Sequence, residues 1–255
     1  MKLLASRSGL IMVLFFAGLS YLDAQSYAFG VKGGLTVGLQ RWGNTFNSRE
    51  PLFRYHGDLF IETADSDEPF ALFASGGYRI KGSAIRFRRQ VATLPDGSVR
   101  EFGAQTIPFE FHNLSVVLGA KQKFPMGYSD SKLYYSFGVR VDYTIDTKLR
   151  PDFIEEDDPF AIFYPIEGFV NEFNYGITVG GGIEVPFTEL IGMILELNVS
   201  PDFSRQYNQP QINNVINTSP FATNPTVTIP ERMITNLVFE LSLGFRFMNK
   251  VIIVD

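Results

Sequence analysis

Between Lys132 and Lys148, apolar and polar residues alternate one by one. Leu133, Tyr135, Phe137, Val139, Val141, Tyr143 and Ile145 share one parity, and Lys132, Tyr134, Ser136, Gly138, Arg140, Asp142 and Thr144 share the other. A strict period of two predicts a β-strand with one apolar and one polar face. The run is about three times the usual soluble strand of about 5–6 residues. A strand tilted across a bilayer needs about 9–11 residues, which this one exceeds. Tyr residues near both ends of the apolar face sit where membrane barrels carry aromatic girdles.

The rest of the chain repeats this pattern. Alternation predicts strands at about 27–42, 53–63, 70–87, 106–123, 132–148, 169–185, 190–199 and 233–247. The parity of the third slips near Ser83–Ile85, which suggests a bulge there. The connections run long, short, long, short, long, short, long. Pro95-Asp96-Gly97 marks a turn, so the second long connection reads as an extended hairpin. Eight strands joined this way predict an all-β fold: a transmembrane up-and-down antiparallel β-barrel with short periplasmic turns, long extracellular loops and both termini periplasmic.

Alternation alone does not say whether the apolar face meets lipid or a core, since a soluble barrel has the same period with its apolar face inside. Three features favour lipid. The strands are long. Aromatics gather near strand ends, at Tyr27, Phe29, Trp42, Phe109, Phe111, Tyr143, Phe245 and Phe247. The polar faces carry Gly34, Gly38, Gly180 and Gly182, which would only weaken a solvated strand but fit the narrow interior of an eight-stranded barrel. The same faces bear Lys32, Arg79, Lys81, Lys121, Arg140 and Arg246, against Asp58, Glu62, Asp142, Glu184, Glu196 and Glu240. Buried charges persist when paired, so these predict a salt-bridged lumen with no channel. A porin would need about 16 strands.

Composition changes the picture in three places. The net charge of −5 gives no electrostatic reason to expect nucleic acid as a partner. There is no Cys, hence no disulfide, thiolate metal site or lipoprotein cysteine. Lys2 and Arg7 precede an apolar stretch, Gly9 to Leu19, and Ala24-Gln25 is a plausible cleavage point. Residues 1–24 therefore read as a signal peptide and 25–255 as the barrel domain.

The signal ending in Ala24-Gln25, followed by FGVKGGLTVG (Phe29 to Gly38), resembles the PorT-type outer-membrane β-barrel proteins of Bacteroidetes. The closing strand LSLGFRF (Leu241 to Phe247) is similar to the strand by which barrel-assembly machinery recognises its substrates. The resemblance implies an integral outer-membrane location. It also hints at an accessory place in a secretion or assembly complex, since the family's founding member belongs to a secretion apparatus.

Candidate chemistry is sparse. No catalytic, cofactor-binding or metal-ligating residue is assigned, and no cofactor is expected. His56 shares a face with Asp58, the start of a base–carboxylate pair, but no G-x-S-x-G motif supplies a nucleophile. A lipid-acting enzyme using His56 is the alternative reading, and a narrow pore or small-ligand binder is a third. His112 reads as a structural or interfacial residue. The run Glu155 to Asp158 lacks the spacing of a calcium loop and reads as an extracellular loop that contacts divalent ions among lipopolysaccharide phosphates. Arg86, Arg88 and Arg89 could pair with lipid phosphates at the rim. Ile212, Val215, Ile216 and Phe221 in the last long loop could fold over the mouth or dock a partner. The expected partners are outer-membrane lipid and lipopolysaccharide, with other envelope or secretion proteins reached through the loops.

Overall fold

The computed structural model describes residues 26–43, 49–64, 69–87, 89–93, 99–127, 129–151, 164–217 and 224–249. The proposed signal peptide, the Glu155–Asp158 run, the Pro95-Asp96-Gly97 turn, Arg88 and Phe221 lie outside them. The strands are β1 (Tyr27–Trp42), β2 (Glu50–Thr63), β3 (Phe70–Phe87), β4 (Gln90–Thr93), β5 (Val99–Phe102), β6 (Gln105–Met126), β7 (Ser129–Lys148), β8 (Phe173–Pro186), β9 (Ile191–Pro201), β10 (Tyr207–Gln209), β11 (Ile212–Ile216), β12 (Thr226–Ile229) and β13 (Arg232–Asn249).

Eight of these form the ring β1-β2-β3-β6-β7-β8-β9-β13, closed by the pairing of β13 with β1 and antiparallel throughout. Closure removes the sheet edges that a lipid-immersed sheet cannot leave unpaired. The eight expected strands are these eight. The sixth begins later than its pattern suggested, at Phe173, because Glu167–Phe169 forms a 3-10 turn. The second long connection is the expected hairpin, β4 with β5. The last carries an unexpected one, β11 with β12. Short turns and both described chain ends lie at one end of the ring, and long connections at the other.

Parity sets the faces. On β7 the apolar set from Leu133 to Ile145 is exposed, while Tyr134, Ser136, Arg140 and Asp142 point inward and are buried. Its apolar band spans 12 residue steps, about 40 Å along the strand at roughly 3.3 Å per residue. At a tilt of about 40° that is roughly 30 Å of height, enough for the band of about 25 Å in outer-membrane barrels. The exterior is thus the apolar belt of a transmembrane barrel. Rings meet on this face: Phe29 contacts Phe247 across strands and Tyr27 along its own strand near the short-turn end, and Tyr143 contacts Phe173 across strands near the other.

Val139 lies at the middle of this belt and is exposed. Val139→Arg is expected to cost about 2–4 kcal/mol, the range for a cation at the bilayer midplane. Urea unfolding in phospholipid vesicles measures it, and an unchanged midpoint would mean the face does not meet lipid.

Two details correct the sequence pattern. The irregularity expected near Ser83–Ile85 is not on β3, whose register with β6 is unbroken from Phe70 to Phe87. It is on β2, where Pro51 pairs with Ser83 but His56 pairs with Arg79, so β2 carries one extra residue. Beside that bulge β1 and β3 approach closely. A Cβ on Gly38 would stand 2.5 Å from the Gly82 carbonyl oxygen, and one on Gly82 would stand 2.3 Å from the Phe109 carbonyl oxygen. Glycine is required here by backbone contact. The second correction concerns Trp42, Phe109 and Phe111, which are not girdle residues. Phe109 and Phe111 are buried, and Trp42 packs against the core cluster of Phe111, Leu149, Tyr207 and Ile234. These rings face inward and close the barrel's loop end.

Candidate functional site

The interior is a column of paired charges. Three inward-facing residues of β6 and β13 surround one carboxylate near the short-turn end. Lys121, Lys123 and Arg246 each place a nitrogen 2.8 Å from Glu62, and Lys123 also reaches Glu184 at 3.1 Å. Above them Lys32 binds Glu196, which also accepts from the Tyr134 hydroxyl at 2.6 Å and from Asn198 Nδ2 at 2.6 Å. Arg79 pairs with Asp58 at 3.1 Å and with Glu240 at 3.3 Å. Higher still, Lys81 and Arg140 share Asp142 and Asp202. Lys81 lies 2.6 and 2.9 Å from them, and Arg140 lies 3.0 Å from Asp142 with a direct contact to Asp202.

All twelve charges expected in the lumen are there and paired. Two were missed. Lys123 shares the parity of Lys121, so the alternation already placed it. Asp202 falls in the last long connection, where no periodicity points to a lumen role. With them the column balances among the described residues, seven cations against seven carboxylates. A void of about 10 Å³ remains at its centre, lined by Arg79, Glu240 and Asn198 among others. That is about the space one water occupies, far below the width of a path for hydrated ions.

The loop end is sealed by the chain segment after β9. Asp202 is anchored by the lumen cations and by Asn236 Nδ2 at 2.8 Å. Gln206 donates to Asn113 Oδ1 at 3.0 Å and Thr144 Oγ1 at 3.1 Å. Tyr207 then pairs beside Ile234, extending the edge of β13 beyond β9. Of the apolar residues read as able to fold over the mouth or dock a partner, Ile212, Val215 and Ile216 lie on the β11–β12 hairpin, where Ile216 is 73 % exposed. Polar residues nearer β9 close the mouth because they can satisfy lumen charges, which isoleucine cannot. The opposite end opens into a recess of about 600 Å³ floored by Lys123, Glu184 and Arg246.

His56 sits in this column. Its Nδ1 is 2.9 Å from Thr36 Oγ1 and its Nε2 is 2.8 Å from Ser242 Oγ. Asp58 shares its face as expected, but bonds to Arg79. The histidine therefore has a serine and no orienting carboxylate, and His56, Thr36 and Ser242 are all buried. His112 bonds to the Tyr78 hydroxyl and lies 3.7 Å from Glu110, a structural arrangement on the outer face. Arg86 pairs with Glu50 at 3.0 Å, both exposed. No group of three or more His, Cys, Asp or Glu among the described residues could hold a metal.

No protein-family model matches the chain, and no curated protein matches it in sequence. Solved structures similar to it are outer-membrane barrels. The outer membrane protein OprG of Pseudomonas aeruginosa is 12 % identical over 88 % of this chain and 97 % of its own, with a TM-score of 0.49. Neisserial surface protein A is 10 % identical over 86 % and 97 %, with a TM-score of 0.41. The Escherichia coli outer membrane protease OmpT is 11 % identical over 89 % and 98 %, with a TM-score of 0.40.

Proposed function

We propose that this chain is a non-catalytic integral barrel of the Gram-negative outer membrane, with a structural or accessory role. The observation that carries the reading is the sealed lumen. Fourteen paired charges and the Asp202–Gln209 segment fill the interior, which leaves the lipid face and the long loops as the surfaces available for work. Both termini then face the periplasm, as the short turns at their end support. The projecting β11–β12 hairpin, with Ile216 exposed beside Ile212 and Val215, supports contact with another envelope protein. The resemblance to PorT-type barrels directs that proposal toward secretion or assembly complexes.

A pull-down of the tagged protein from outer membranes in mild detergent tests this. Stoichiometric co-recovery of envelope subunits, lost when 212–229 is replaced by a short Gly-Ser link, is expected. Recovery of the barrel alone would contradict the accessory role. The hydrogen bond between His56 and Ser242 favours a second reading, a lipid hydrolase. It requires that His56→Ala abolish a measurable esterase activity, and the burial of both residues opposes access by an ester.

A further inference from the structure

Arg49 stands one residue before β2 at the loop-side mouth. Its guanidinium lies 3.7 Å from the Trp42 ring centre and 4.2 Å from that of Phe109. Stacking of this kind holds a cation by its flat face and leaves its N–H edge for an acceptor. Yet Nε and Nη1 of Arg49 are buried with no hydrogen-bond partner. The charge that Arg49 feels most is another cation, Arg232. Burial, together with that neighbour, lowers the guanidinium pKa to about 10.

A second donor lies in the same row of the fold. Gln209 is fully buried and pairs with Arg232 across β10 and β13. The Tyr207 hydroxyl accepts the Ile166 N–H at 2.9 Å, so its own proton goes to Gln209 Oε1 at 2.6 Å. This fixes the amide's orientation and leaves Nε2, with two hydrogens, without an acceptor. Two residues along, Ile234 pairs with both Tyr207 and Trp42, so the stacking platform of Arg49 and the Gln209 amide flank the same stretch of β13. The lumen below balances its charges closely; here positive charge and an amide donor lie together, with no carboxylate among the described residues that act on Arg49.

We propose that Arg49, Arg232 and the Gln209 carboxamide form a site for a small oxyanion, a phosphate or sulfate group, at the loop-side mouth of the barrel. The planar guanidinium suits two oxygens of such a group at once, and the amide supplies a third bond. The group arrives either as a free anion or on a lipid headgroup; the chemistry is shared.

Trp42 is the chain's single tryptophan and touches the proposed site, so its fluorescence is the probe. The folded protein in detergent is titrated with sodium phosphate and sodium sulfate against sodium chloride at equal ionic strength. It is also reconstituted in vesicles containing phosphorylated or dephosphorylated lipid A. A saturable change with phosphate or sulfate and not chloride supports a free-anion site. A change only with phosphorylated lipid A supports a headgroup site. In either case Gln209→Glu, which puts a carboxylate where the anion would sit, is expected to weaken binding at least tenfold. Arg49→Lys keeps the charge without the fork and is expected to weaken it as well, which covers failure of the first variant to fold. No change in any titration, or equal responses in wild type and both variants, overturns the proposal.

Discussion

Glu62→Gln is expected to lower the stability of the barrel by about 3–5 kcal/mol, the range for removing one partner of a buried ion pair. The substitution keeps shape and volume and removes one charge. Lys121, Lys123 and Arg246 would then crowd together with only Glu184 left beside Lys123. Each of these nitrogens lies 2.8 Å from Glu62 in the native column, and the glutamate itself is buried. Desolvated cations without a counter-charge are the expensive state. The matched control is Glu50→Gln. It breaks the Arg86 pair on the exposed rim, where the side chains are 46 % and 41 % exposed, and is expected to cost under about 1 kcal/mol. Urea unfolding of both variants in vesicles, followed by Trp42 fluorescence, gives the comparison. Equal midpoints would mean the interior pairs are as weak as surface pairs.

Asp202→Asn is expected to have two effects. Lys81 and Arg140 would be left to share Asp142, a cost again of about 3–5 kcal/mol. The segment that closes the mouth would also lose its anchor. Its remaining ties include backbone bonds, such as Gln206 N–H to the Ile234 carbonyl at 2.9 Å, and side-chain bonds of Ser204, Gln206 and Tyr207. The amides of residues 203–209 should therefore exchange hydrogen faster, while those of β7 slow or quicken only with global stability. Unfolding in urea and hydrogen exchange read the two effects separately. Uniform acceleration across the barrel, with no added change at the mouth, would show that Asp202 stabilises the column without latching the segment.

The ring was legible because its physics is periodic. Strand β7 states both faces residue by residue, and closure follows from repeating it with short and long connections in turn. The lumen charges were legible for the same reason, down to all twelve expected from parity. Trp42, Phe109 and Phe111 were misassigned by their position at strand ends. Their parity matches Thr36 and Gln40 on β1, and Asn113 and Ser115 on β6, so the pattern itself already pointed them inward. Asp202, Gln206 and Tyr207 had no such signal. They lie in a connection without alternation, and their role depends on β13 running past the end of β9 to offer a free edge. The bonding of His56 was likewise hidden. Its serine is 186 residues away, on a strand that reaches it only when the ring closes.

The central claim is a closed, charge-packed interior, and single-channel recording in planar bilayers tests it most directly. The wild-type barrel should insert without producing steady conductance steps across the physiological voltage range. Reproducible ohmic steps from purified wild-type protein would contradict a sealed lumen and return the barrel to the class of narrow pores.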